Sequence, residues 1–166
     1  LIEHPSFDLG MKNPSIYGPD FPSQAERFAT FSALAADLIY TQKNTDIVHL
    51  HDWHVAGVGL KLQKDHEEEW KEGKIPPFVF TFHNNQRPMQ GRLSLGAYSY
   101  DPIVHGYLKP GIINRSENLF VETLMRADAV TTVSETFAKE SQQVVHGEGI
   151  SFAVRQAARV GKLTGI

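Results

Sequence analysis

The chain contains no cysteine in its 166 residues. This excludes a disulfide framework and a thiolate metal site, and it fits a reducing compartment. Charge of one sign is also missing, with Lys+Arg 16 set against Asp+Glu 19 for a net charge of −3. The basic residues are scattered, so no Lys/Arg stripe predicts a nucleic-acid or membrane partner. No apolar run approaches the roughly 18 residues needed to span a bilayer. There is no signal peptide, no internal repeat and no low-complexity tract. The chain opens on Leu1 rather than Met, inside a pattern already under way, and so predicts an internal fragment. What is present is ordinary globular composition, 41% hydrophobic and 21% charged. The length suits one domain, or part of a larger one, with a core of its own.

Residues 1–22 are rich in Pro, Gly, Asp and Asn and predict an irregular segment. Ser23 to Glu26 has the form of a capping box. Phe28, Phe31, Ala35 and Leu38 then fall at helical spacing and predict a helix from about Gln24 to Tyr40. Asp46 to His51 is short, β-branched and apolar, as expected of a buried strand. A helix from Val55 to Trp70 ends in a charged turn, where Glu67, Glu68 and Glu69 predict a solvated surface. Pro76-Pro77 break the chain before a second strand, Phe78 to Phe82. Residues 84–117 form a long segment of the kind that carries function or disorder. A helix from Asn118 to Arg126 leads to a third strand, Ala129 to Val133. Ser134 is placed to cap a helix reaching Val145, and Ser151 to cap a last helix ending before Gly161. Strands alternating with helices predict an α/β fold, a Rossmann-like parallel sheet with flanking helices.

Ligands of such sheets bind beyond the carboxyl ends of the strands. Those ends carry His51-Asp52-Trp53-His54, His83-Asn84 and Ser134-Glu135. His49 and His51 are two apart and share one sheet face. A metal site is the weaker reading of this segment. Its ligands would have to converge within about 2 Å of one ion, which a strand end and its own turn rarely achieve. His49 reads better as a satisfied core histidine, and Trp53 as packing under the helix start. Asp52 and His54 read as ligand contacts, because a polar cluster is expensive to bury unpaired. His83, Asn84 and Asn85 offer donors and acceptors together, as sugars require. A hydrogen-bonded turn explains the Asn pair equally well.

In order, the segments Asp46-Ile47-Val48-His49-Leu50-His51-Asp52-Trp53-His54, Phe80-Thr81-Phe82-His83-Asn84, Gln90-Gly91 and Ala127-Asp128-Ala129-Val130-Thr131-Thr132-Val133-Ser134 resemble glycogen and starch synthases. Tyr17-Gly18 and Glu26-Arg27-Phe28 are similar to that family upstream. Gly147 to Ile150 and Gly161 to Ile166 are similar to its approach to the interdomain hinge. The chain departs from the family pattern at Met89, Val121, Glu135 and Phe137.

The resemblance implies the N-terminal, acceptor-side part of a GT-B fold spanning residues 1–166, without the C-terminal nucleotide-sugar domain. It implies retaining transfer of glucose from ADP-glucose to the non-reducing end of an α-1,4-glucan, with this chain inactive alone. Asp52 and His83 are then the catalytic residues. Asp52, His54, Asn84, Tyr17, Gln90 and Gly91 are the substrate-binding ones. No cofactor and no metal is expected, because Lys and Arg of the missing domain handle the diphosphate. The implied location is the bacterial cytoplasm or a plastid. The alternatives are a sucrose- or trehalose-type GT-B enzyme and a non-catalytic glucan-binding module.

Overall fold

The computed structural model describes residues 21–91 and 118–166, with side chains described from Arg27 onward in the first stretch. Tyr17, the irregular segment before Phe21 and most of the long predicted loop lie outside the described residues. Helix α1 (Phe21–Gln42) leads to strand β1 (Val48–His51), helix α2 (Trp53–Asp65) and the short helix α3 (Glu67–Lys71). Strand β2 (Phe78–Phe82) is followed by a single 3-10 turn at Arg87–Met89. Helix α4 (Leu119–Arg126), strand β3 (Ala129–Thr132), helix α5 (Glu135–Glu140), helix α6 (Ser151–Arg159) and strand β4 (Leu163–Gly165) complete the order.

The four strands are parallel and lie side by side in sequence order, β1-β2-β3-β4. Period-two alternation explains which face is covered. Val48, Leu50, Phe78, Phe80, Phe82 and Val130 all point into the helical layer and are buried. Phe120 of α4 meets Phe80 and Phe82 edge-on, at 5.2 and 5.4 Å between ring centroids. Each such ring contributes about 1.5–3 kcal/mol by leaving water, with a further fraction from the edge-to-face geometry. The opposite face carries His49, His51, Val79, Thr81, Ala129, Thr131 and Thr164. His51, Thr81, Thr131 and Thr164 stand in register across all four strands.

The predicted strands and helices are all present, with differences at their ends. Strand β4 was not expected, because three residues are too few to show a period. Helix α1 already includes Ser23, so the capping-box residues lie inside it rather than at its start. Its packed stripe is Ala29, Ala33 and Ala36, whereas Leu38 is 47% exposed. Small side chains let α1 lie close against α2, and Leu38 falls on the outer side. The helix predicted to run from Val55 to Trp70 starts at Trp53 and breaks at His66, whose φ −124 and ψ 42 leave the helical region. The Glu67 to Glu69 turn has no buried residue, as expected.

Ser134 caps α5 by accepting the Phe137 amide at 3.0 Å. That helix stops at Glu140 instead of reaching Val145. Val144 and Val145 are exposed, and the His146 carbonyl is taken by the Asn85 side chain at 3.0 Å. Ser151 is the first residue of α6 rather than its cap, a position held by Ile150. Two of the four family departures fill space, whereas the Glu135 side chain is exposed. Val121 is buried in α4, and Phe137 rests 5.8 Å from Phe82.

Candidate active site

The carboxyl ends of β1 and β2 meet at Asp52 and His83. The β1–β2 ladder continues one step past the strands, with the Asp52 amide donating to the Thr81 carbonyl at 2.9 Å. The chain then turns sharply into α2. Asp52 makes that turn at φ 61 and ψ 177, a conformation that is nearly confined to glycine. An aspartate held there costs about 1–3 kcal/mol. Its carboxylate does not cap α2. Instead Oδ1 accepts the His83 backbone N–H at 2.9 Å, binding the ends of two adjacent strands together. A strained residue held by its neighbours at a strand's carboxyl end is what a functional position looks like.

Three imidazoles stand beside this turn. His51 Nδ1 lies 3.1 Å from His83 Nε2. The His49 ring is 4.3 Å from that of His51, and His49 Nε2 is 2.7 Å from Thr81 Oγ1. Thr81 Oγ1 in turn meets Thr131 Oγ1. His49 is therefore not the core histidine that its apolar strand suggested. It is exposed, because the period of two puts it on the face opposite Val48 and Leu50, and a threonine hydroxyl satisfies it. Partial burial, followed by the charges of His49 and His83, holds the His51 pKa below the usual histidine value. Among the described residues, no group of three or more His, Asp or Glu side chains is arranged to hold a metal ion.

The other expected site residues fall in different surroundings. His54 sits half-buried against the Phe28 and Trp53 rings, at 4.7 and 4.5 Å, and burial lowers its pKa. Trp53 packs beneath the helix start as expected, 2% exposed. Asn84 Oδ1 accepts the Gln86 amide at 2.8 Å, the hydrogen-bonded turn that is common for Asn. Gln90 is fully buried, and its amide is spent inside the protein. Nε2 donates to the carbonyls of Asn85 at 2.7 Å and Glu148 at 3.0 Å, while Oε1 accepts from Asn118 Nδ2 at 2.8 Å. Gly91 has φ 58, and a Cβ there would lie 2.7 Å from Trp53 Cε3. Its carbonyl and that of Gln90 accept the Leu119 and Phe120 amides that open α4. Gln90 and Gly91 thus fasten the end of the β2 loop to α4, behind the Asp52–His83 pair.

Sequence reading placed His51 in the strand-end cluster and Asn85 in the sugar-or-turn group, but named neither as a site residue, and it read Asn118 only as a helix start. The contacts of Asn85 and Asn118 carried no signal, because they reach residues far along the chain.

Comparison with known proteins agrees with this arrangement. The profile of the starch synthase catalytic domain matches residues 1–156. Glycogen synthase of Granulibacter bethesdensis is 33% identical over 90% of this chain and 31% of its own length. Glycogen synthase 1 of Synechocystis is 29% identical over 100% of this chain and 30% of its own. The solved catalytic domain of starch synthase IV from Arabidopsis thaliana, bound to ADP and acarbose, superimposes with a TM-score of 0.68 at 27% identity. It covers 92% of this chain and 31% of that one. The chain thus spans about a third of the length of the relatives it matches. With profile, relatives and fold in agreement, the chain belongs to the starch synthase catalytic domain family.

Proposed function

We propose that this chain is the acceptor-side part of a retaining glucosyltransferase that passes glucose from ADP-glucose to the non-reducing end of an α-1,4-glucan. The observation that carries the reading is the Asp52–His83 contact, which joins the family's two histidine-containing motifs at one strained turn. The starch synthase IV structure bound to ADP and acarbose supports a nucleotide-linked donor for the same architecture.

The chemistry asks for two kinds of stabilisation. As the bond from the sugar's anomeric carbon to ADP breaks, positive charge grows on the sugar ring, and preorganised dipoles stabilise it. His83 and the Asp52 carboxylate are the groups this chain supplies. Oδ1 of Asp52 is used on the His83 amide, and among the described residues Oδ2 has no partner and remains for sugar hydroxyls. The departing diphosphate needs cations, which belong to the second domain of a GT-B enzyme. No metal or other cofactor enters this proposal. A cytoplasmic or plastid setting goes with it, in keeping with the bacterial, cyanobacterial and plant sources of the relatives.

The test is glucan elongation by the complete protein with maltooligosaccharide acceptor and competing nucleotide sugars. Elongation from ADP-glucose in preference to the others is expected. Transfer to a fructose or glucose phosphate acceptor instead would move the protein to the sucrose or trehalose type.

A further inference from the structure

We propose that His51 is a positioning residue for His83, fixing its imidazole in a single tautomer and leaving Nδ1 as the ring nitrogen available to a ligand. The inference rests on the reading of His83 as a sugar-contacting residue and adds a partner that orients it.

The register explains the contact. His51 pairs with Thr81, and His83 stands two residues further along the same face, so the two rings meet on the diagonal. Their centroids are 5.4 Å apart with planes 28° from parallel, and Nδ1 of His51 faces Nε2 of His83 at 3.1 Å. Behind His51 stands the His49 ring, itself tied to Thr81 Oγ1, so His51 is backed by a fixed wall. His83 is therefore held twice by consecutive residues, its backbone by Asp52 and its ring by His51.

A nitrogen-to-nitrogen hydrogen bond needs one protonated and one bare nitrogen. The contact therefore holds one proton between the two facing nitrogens, and at most one of the two rings is charged while it lasts. Charging both rings places N–H against N–H and parts them. The titratable groups facing His51 are His49, His83 and Asp52. Its lowered pKa, set first by burial and then by His49 and His83, agrees with a pair that resists double protonation.

The test is nitrogen-detected NMR of the ¹⁵N-labelled chain, following the imidazole nitrogens through about pH 5 to 8. In the unaltered chain, His83 should show one tautomer. His51→Phe keeps a ring but removes the nitrogens, and should give mixed tautomers at His83. His51→Asn places an amide where Nδ1 stood and should restore the single tautomer. Mixed tautomers of His83 in the unaltered chain would overturn the proposal, whatever the variants do. Equal behaviour of the Phe and Asn variants would also overturn it, by assigning the effect to packing. Failure of glucan elongation by the complete protein bears on the function proposed above and leaves this measurement intact.

Discussion

Replacing Asp52 by alanine and by glycine separates what the residue costs from what it does. Both variants lose the carboxylate and its bond to the His83 amide, so that loss cancels between them. In an ordinary position Ala is more stable than Gly by about 0.4–1 kcal/mol, because glycine has more freedom to lose on folding. At φ 61 and ψ 177 a Cβ is strained, and Ala bears about 1–3 kcal/mol that Gly escapes. The expected order is therefore inverted, with Asp52→Gly more stable than Asp52→Ala by about 1.3 kcal/mol at the middle of both ranges and by up to about 2.6 kcal/mol. Urea unfolding of the two variants, read as midpoint and slope, resolves a difference of this size. If Asp52→Ala is the more stable of the two by about 0.4–1 kcal/mol, as in an ordinary position, the turn is not strained and the inference from strain to function falls. In the complete enzyme both variants should be poor catalysts, since stability regained at the turn does not return the carboxylate.

Other perturbations address neighbouring features. His83→Ala in the complete enzyme should lower turnover by about 10²-fold, the usual cost of one transition-state contact; near wild-type turnover removes His83 from the mechanism. Gln90→Met keeps the volume but orphans the Asn85 and Glu148 carbonyls and the Asn118 amide. At about 1–3 kcal/mol for each buried unpaired group, a destabilisation of at least about 3 kcal/mol is expected in denaturant. A loss below about 1 kcal/mol would show that water or relaxation replaces the network. Burial holds His51 and His54 below their ordinary value, so the unfolded chain binds protons that the folded chain refuses. Stability is then full above about pH 6.5 and declines as the pH falls below it, so the urea midpoint should drop between about pH 7.5 and 5.5. A midpoint that rises over that interval contradicts the assignment.

The first three strands of the sheet were legible because they are short apolar runs set between helical periods, and that alternation has few topological solutions. The meeting of Asp52 with His83 was legible for the same reason, since parallel strands put their carboxyl ends on one rim. Three things were not. The face to which His49 points follows from its phase relative to Val48 and Leu50, yet its local surroundings read as core. The early end of α5 goes with the Asn85 side chain bonding the His146 carbonyl, 61 residues away in sequence and adjacent only in space. Gln90 looks like a loop residue, and only the fold shows that Asn118 and Glu148 lie within reach of its amide.

The sequential order of the strands also bears on how the sheet is built. Each strand pairs with the one made just before it, so the sheet can grow by one edge as the chain lengthens. The steps are unequal. The β1–β2 contacts join residues 32 apart, as in His49 with Thr81, whereas β2–β3 contacts join residues 50 apart, as in Thr81 with Thr131. Closing the longer span costs about 0.4 kcal/mol more in chain entropy. It also has to wait for the residues in between to be made. During synthesis, β1, α2 and β2 can bring Asp52 and His83 together before β3 and β4 exist, so the candidate active site is set by the β1–β2 pair, ahead of β3 and β4.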